Sequence, residues 1–173
     1  MTDVERLYAE HQAGVFRYFR RIVGGLDAAR DLTQEVFLRV SRAGVPESSE
    51  TGRRAWVFKI ARNLAINHVR DGRRRVTHEL VDPAVPGTQE LSIALARAID
   101  ALPPLDRDVF LLREAAGLSY EEIAAACELH IGAVRTRLHE ARQQLRSMLG
   151  RSLDPRAQRG VRTLPAGPRD RDD

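Results

Sequence analysis

The sequence predicts an all-α chain made of two small helical domains. Apolar residues recur at steps of three and four along most of the 173 residues, and no segment alternates apolar and polar residues as a β-strand does. Hydrophobic residues make up 43% and charged residues 30% of the chain, a balance that is typical of folded globular proteins. The helical pattern breaks at residues 76–88, which contain Asp-Pro and Pro-Gly turns. We therefore expect domains at 1–75 and 89–150, joined by a flexible linker.

The first domain is predicted to contain three amphipathic helices. Thr2 and Glu5 have the spacing of a capping box, which marks the start of the first helix. A glycine pair ends this helix, and the second helix begins at Asp27. A loop is expected at about 44–52, and the third helix then runs from about residue 53 to residue 70. Together the three helices predict a compact helical unit.

The second domain is predicted to end in a pair of helices with helix-turn-helix proportions. Its first helix begins near Gln89, and the prolines at 103–104 end that helix and start the next. A capping box at 119–122 opens a short helix, which a turn joins to a long helix over about 131–149. The spacing by itself also suits an ordinary three-helix bundle. Residues 151–173, rich in proline, arginine and aspartate, are expected to form a disordered tail.

Composition excludes several classes of protein. One cysteine cannot build a disulfide framework or a zinc site made of cysteines, and the five histidines have no metal-ligand spacing. No apolar run is long enough to cross a bilayer, and the first ten residues do not resemble a signal peptide. The sequence has no glycine-rich phosphate loop and no group of residues that points to catalysis. We therefore expect a cytoplasmic protein that is not an enzyme, inserts into no membrane and needs no cofactor or metal.

Arginine dominates the basic residues. The chain has 28 basic and 24 acidic residues, and Lys59 is its single lysine. Arginine makes bidentate contacts to phosphate and guanine, which suits a nucleic-acid partner, but a GC-rich coding bias also raises arginine content. The positions of the arginines therefore matter more than their number.

The segment 53–75 concentrates positive charge on the third predicted helix. It holds eight basic residues and one acid, Asp71. With 3.6 residues per turn, its basic and amide side chains share a broad face opposite Trp56, Ile60 and Leu64. Cations on this face could neutralise phosphates while amides bond base edges, and the alternative is a solvated basic face. The members of the face are Lys59, Arg62, Asn63, Asn67, Arg70 and Arg74.

Four segments of the sequence carry a resemblance to a known family. They are DAARDLTQEVFLRV (27–40), RAWVFKIARNLAINHVR (54–70), LPPLDRDVFLLREAAGLSYEEIAAA (102–126) and GAVRTRLHEAR (132–142). Together they resemble the extracytoplasmic-function (ECF) sigma factors, the smallest class of the sigma-70 family, which directs bacterial RNA polymerase to promoters. The resemblance covers nearly the whole chain apart from the linker and tail. It implies that the first domain is a sigma-two domain and the second a sigma-four domain.

The resemblance implies a polymerase-binding surface on the second helix. In the family this helix docks on the clamp helices of the β′ subunit of core RNA polymerase, and the β subunit is a further partner. An ordinary solvated acidic surface is the alternative interpretation of these residues. The positions that match the family's contacts are Asp31, Gln34, Glu35, Leu38 and Arg39.

The third helix and the loop before it are implied to bind the minus-ten promoter element. The family captures unpaired bases of the non-template strand there, and the loop at 44–52 matches a segment whose pocket holds a flipped base. Flipping costs a few kcal/mol of stacking, so a pocket and a basic groove must offset it. Trp56 lies at apolar spacing on the helix, which favours a core position over a DNA contact. The implied contacts are Trp56, Lys59, Arg62, Asn63, Asn67, Arg70, Arg73 and Arg74.

The long helix from residue 131 is implied to read the minus-thirty-five element in the major groove. Glu128, His130 and Glu140 depart from the family pattern, and a left-handed turn at Glu128 would cost about 1 kcal/mol. A carboxylate at position 140 can accept from a cytosine amino group but repels phosphate, which leaves promoter specificity open. Arg137 and Arg142 suit phosphate contacts or a role in holding the domain together. The implied contacts are Arg135, Thr136, Arg137, His139, Glu140, Arg142 and Arg146.

Two other functions are compatible with parts of the sequence. A stand-alone helix-turn-helix regulator would use the second domain, but it has no need for the two motifs of the first 75 residues. A helical protein-interaction module would leave both arginine-rich faces unexplained. The sequence therefore favours a promoter-specificity subunit, and the resemblance implies an anti-sigma factor as a further partner.

Overall fold

The computed structural model describes residues 1–23, 25–71 and 88–152, with side chains described from 91 to 151 in the last range. All regular structure in these residues is α-helical, which confirms the predicted fold class. The helices are α1 (Asp3–Ile22), α2 (Leu26–Ala43), α3 (Glu50–Arg70), α4 (Thr88–Asp100), α5 (Pro104–Glu114), α6 (Tyr120–Cys127) and α7 (Ile131–Ser152). Helices α1–α3 form a first unit and α4–α7 a second. The predicted linker up to residue 87 and the tail from residue 153 lie outside the described residues.

Both predicted capping boxes are present. At the start of α1, the Glu5 amide donates to the Thr2 hydroxyl at 3.2 Å and the Thr2 amide donates to the Glu5 carboxylate at 2.6 Å. At the start of α6, Glu122 and Ser119 exchange the same two bonds at 3.1 and 2.8 Å. Each pair satisfies two backbone N–H donors that the first helical turn would otherwise leave open.

Two predicted boundaries are wrong. The third helix begins at Glu50 and not near residue 53, because the Ser49 hydroxyl accepts from the Gly52 amide at 3.1 Å and caps the helix earlier. The preceding loop is correspondingly shorter than predicted. The last helix continues to Ser152, so the first two residues of the predicted tail are helical.

The core of the first unit forms where α1 packs against both α2 and α3. The rings of Tyr18 and Phe58 meet edge to face with their centroids 6.4 Å apart, a favourable geometry for aromatic rings. The buried apolar side chains of this unit include Leu7, Val15, Tyr18, Phe19, Val36, Val40, Val57 and Phe58.

The second unit is organised around α7, which packs against α4, α5 and α6. Along this helix apolar residues recur at alternating steps of four and three and form a seam, which is buried at Val134, Leu138, Ala141 and Leu145. Glu128 ends α6 in the left-handed conformation, with φ 56° and ψ 44°. The turn therefore takes the left-handed backbone conformation, which costs a non-glycine residue about 1 kcal/mol.

The two units are docked on each other. Helix α6 packs against α3, and α1 also touches α5. The hydroxyl of Tyr18 is fully buried and has no hydrogen-bond partner in the described structure. Its pKa is well above the ordinary value, chiefly because burial disfavours the charged form and then because Asp108 of the second unit lies near. The second unit therefore helps enclose the core of the first.

Candidate polymerase and nucleic-acid surfaces

The predicted polymerase-binding residues lie on the outer side of α2, opposite the side that packs in the core. They are Asp31, Gln34, Glu35, Leu38 and Arg39. Arg39 donates to the Glu35 carboxylate at 2.7 Å, one helical turn away. Leu38 is 50% exposed and places an apolar side chain among these polar groups. An exposed leucine among polar and charged side chains suits the binding of a protein partner.

The predicted minus-ten contacts form a basic face on α3 that is partly open to solvent. We use "basic face" for Lys59, Arg62, Asn63, Asn67 and Arg70. Asn63 and Arg70 are exposed, and Asn67 is half-buried. Arg73 and Arg74 fall outside the described residues. Trp56 is half-buried and packs against the hydrophobic core, so its indole has a structural role in this arrangement.

Two cations of the basic face are engaged by carboxylates of the second unit. Lys59 donates to Glu128 at 2.7 Å, and Arg62 donates to Asp108 at 3.1 Å. The side chains of Arg62 and Asp108 are 19% and 12% exposed, whereas those of Lys59 and Glu128 are 40% and 73% exposed. The first pair is therefore shielded from solvent, and the second belongs to the class of surface pairs worth at most about 1 kcal/mol.

Burial governs the titration of Asp108. Desolvation raises the pKa of its carboxyl above the ordinary value, although Arg62 and Arg107 act in the opposite direction. The charged carboxylate is therefore held in an environment that disfavours it, and the arginine pair compensates only in part. At Glu128, which is exposed, the hydrogen bond from Lys59 lowers the pKa.

Arg54 joins the two units, a role that the sequence analysis did not predict. Its Nη1 donates to the Glu122 carboxylate at 3.1 Å, and its Nη2 donates to the carbonyl oxygens of Ala116 and Gly117 at 3.1 and 3.3 Å. These carbonyls follow the C-terminus of α5, where backbone acceptors lack helical partners. Nothing in the local pattern separates Arg54 from the other arginines of its segment, because its partners lie far along the chain.

The predicted minus-thirty-five contacts divide into an exposed set and a paired set. The exposed members of the predicted set are Arg135, Thr136, His139, Glu140 and Arg146. Arg137 donates to the buried carboxylate of Asp106 at 2.6 Å, and Arg142 donates to Glu114 at 2.7 Å. The open face can meet a groove of DNA, whereas the two paired arginines hold α7 against α5.

The described residues contain no group of three or more His, Cys, Asp or Glu side chains that could hold a metal ion. None of the helices in the described ranges is long and apolar enough to cross a membrane. Cys127 is buried, and burial raises the pKa of its thiol to about 11.

Two family models match the chain. The model for sigma-70 region 2 matches residues 7–75, and the model for sigma-70 region 4 matches residues 92–145. The first match contains most of α1 and all of α2 and α3. The second match contains most of α4, all of α5 and α6, and the first part of α7.

Several named relatives match most of the chain. The chain is 36% identical over 135 residues to the ECF RNA polymerase sigma factor EcfG of Rhodopseudomonas palustris, a match that covers 73% of this chain and 74% of the relative. The chain belongs to the ECF RNA polymerase sigma factors. This sigma factor is also 35% identical over 170 residues to SigE of Mycolicibacterium smegmatis, which covers 91% of the chain and 66% of the relative. It spans between 59% and 66% of the length of several such relatives.

A solved complex contains a chain with a similar arrangement of helices. The structure of CnrH in complex with the cytosolic domain of CnrY matches this sigma factor with a TM-score of 0.67 and 25% identity. The match covers 85% of this chain and 87% of CnrH. At this coverage the likeness extends over both units.

Proposed function

We propose that this sigma factor binds core RNA polymerase and directs initiation at promoters that carry its minus-ten and minus-thirty-five elements. In this proposal, α2 docks on the β′ clamp helices, and the second unit also contacts the β subunit. The basic face of α3 binds the melted minus-ten strand, and α7 reads the minus-thirty-five element. The protein acts in the cytoplasm and performs no catalysis of its own.

One observation carries the proposal: the two family domains present separate faces suited to DNA. The basic face of α3 offers Asn63 and Arg70 to solvent, which suits a single strand with accessible bases and phosphates. The exposed residues of α7 follow a capped helix and a tight turn, as in a helix that enters the major groove. A stand-alone regulator would account for the second face and leave the first without a role.

Initiation requires rearrangement of the docked units. Asp108 engages Arg62 where both side chains are shielded from solvent, so docking withholds this cation from phosphates, whereas the exposed pair of Lys59 and Glu128 is weak enough to yield to a phosphate. We propose that polymerase binding separates the units, and that an anti-sigma factor favours the docked state. The likeness to CnrH, which was solved with the cytosolic domain of CnrY, supports the binding of a further protein partner.

The test is multi-round transcription with purified bacterial core polymerase and a fragment library from the source genome. The native chain should create new start sites that share two upstream motifs. Charge reversal at Asp31 and Glu35 should abolish these starts and the co-migration with core polymerase, because the proposed clamp contact loses its carboxylates.

The matched control reverses two acids elsewhere on the first unit, Asp3 and Glu10 of α1, both of which are exposed. This control should retain activity if the α2 surface is specific. Absence of initiation and of co-migration for the native chain, with tight duplex binding by the chain without polymerase, would refute the proposal and favour a regulator.

A further inference from the structure

Tyr120, the first residue of α6, brings arginines of two other helices together around its ring. The ring centroid lies 5.3 Å from Cζ of Arg113 on α5 and 6.0 Å from Cζ of Arg135 on α7. Both distances are within the range of cation–π attraction between a guanidinium and an aromatic ring. The contact with Arg135 connects the aromatic ring to the exposed face of the helix proposed to read DNA.

The ring is held in place from several sides. The capping box between Ser119 and Glu122 fixes the backbone on either side of Tyr120. Arg113 donates to the Leu118 carbonyl at 2.7 Å, which anchors the guanidinium that lies over the ring. Tyr120 is half-buried and packs against the hydrophobic core. The ring is therefore a fixed support, and not a side chain that moves with its partner.

A second arginine of the same helix face adjoins this tyrosine. Arg142 donates to Glu114 at 2.7 Å, and this bond, together with a smaller contribution from a hydrogen bond with Tyr120, raises the pKa of Arg142. Arg135 and Arg142 are seven residues apart, about two helical turns, and share one face of α7. Arg142 is tied down by a carboxylate, whereas Arg135 remains exposed and has the ring beside it.

We infer that Tyr120 is a positioning residue, which orients Arg135 to read a base pair of the minus-thirty-five element. This inference rests on the proposed function. A free arginine side chain loses much rotamer freedom when it makes a bidentate contact to guanine, and a ring that restrains it beforehand reduces that loss. The benefit applies to one base contact. Loss of the ring should therefore reduce selectivity at a single base pair, whereas loss of a phosphate contact would weaken binding to all sequences alike.

The experiment uses holoenzyme assembled from the full chain and core polymerase, and a duplex pool randomised across the upstream promoter element. Sequencing of the bound fraction gives the preference at every position. Tyr120→Leu and Tyr120→Met both remove the ring, so either one that folds serves the test, and Tyr120→Phe keeps the ring while removing the hydroxyl. Arg135→Ala identifies the base pair that the arginine reads. The double variant Tyr120→Leu/Arg135→Ala completes a double-mutant cycle, which measures the coupling between the two side chains.

The ring-deleting variants should lower the preference at the Arg135-dependent base pair by about two- to fivefold, the effect of one exposed cation–π contact. Tyr120→Phe should keep the native preference, and Tyr120→Leu should have no further effect once Arg135 is alanine. A ring deletion that weakens all positions equally, or that acts as strongly without Arg135, would overturn the positioning role. If the native holoenzyme shows no base preference at any position of the upstream element, the proposed function is refuted instead.

Discussion

Replacement of Arg54 by methionine should weaken the contact between the two units. Arg54 supplies an ion pair to Glu122 at 3.1 Å and two hydrogen bonds to the carbonyls of Ala116 and Gly117. Methionine keeps most of the length and apolar stem of arginine but makes none of these bonds. Glu122, whose side chain is 8% exposed, would keep only its capping bond from the Ser119 amide.

The expected cost follows from burial. Removal of one partner of a fully buried ion pair costs about 3–5 kcal/mol, because the remaining charge stays desolvated. The side chain of Arg54 is 30% exposed, so water can reach the site and screen the loss. We therefore expect the free energy of unfolding to fall by about 2 kcal/mol.

Arg53→Met is the matched control, since it changes the same residue type at the neighbouring position. Arg53 donates within its own unit, to the Ser48 carbonyl at 2.5 Å, and makes no described bond to the second unit. Its loss should cost below about 1 kcal/mol. Denaturant unfolding of both variants, followed by circular dichroism, measures the difference.

Looser docking should also have a functional effect. Lys59 and Arg62 are held across the same seam, so the Arg54→Met chain should bind a single-stranded minus-ten oligonucleotide more tightly than the native chain in the absence of polymerase. Equal stability of the two variants, or unchanged oligonucleotide binding despite the loss of stability, would show that Arg54 does not control the docking.

Three further predictions concern the interior. Burial raises the pKa of the Asp108 carboxyl above 3.8, so the folded chain binds the carboxyl proton more strongly than the unfolded chain does. The stability that this group contributes is present in acid and is lost as the pH rises through the folded pKa. Asp108→Asn should remove this pH dependence from a series of unfolding curves recorded at different pH values. Cys127, with a pKa of about 11, should react slowly with iodoacetamide at neutral pH in the native chain and faster in the Arg54→Met chain, as measured by mass spectrometry. Equal reaction rates in the two chains would exclude opening of the contact between the two units in the variant. Leu138→Ala should cost about 3 kcal/mol since the side chain is 1% exposed, whereas His139→Ala, at an exposed position, should cost below about 0.5 kcal/mol in the same denaturant assay.

The helices were predictable because their signals are local. The capping boxes at 2–5 and 119–122 and the apolar seam of α7 depend on residues three or four positions apart, and each is present. The start of α3 was misplaced because Ser49 lies within a run of polar residues, any of which could cap a helix. The sequence therefore predicted which helices exist better than where they begin.

The residues that form the candidate surfaces were predictable from the sequence, but which of them pair with side chains of other helices was not. The exposure of Asp31, Gln34 and Leu38 on α2 and of Arg135 and His139 on α7 follows from helical periodicity. Periodicity could not indicate that Arg137 and Arg142 pair with carboxylates of α5. Nor could it identify Tyr120 as the support for Arg135, since the two residues lie on different helices.

By itself, the sequence determined the helical class, the two matched regions and the residues that face away from each core. These properties depend on the period of the helix and on interactions within one or two turns, so they can be read along the chain. Only the tertiary structure decided that Lys59, Arg62 and Arg54 of the first unit meet Glu128, Asp108 and Glu122 of the second. An ion pair forms where packing places two charges within a few ångströms and away from water, and residues far apart in sequence carry no local sign of that meeting.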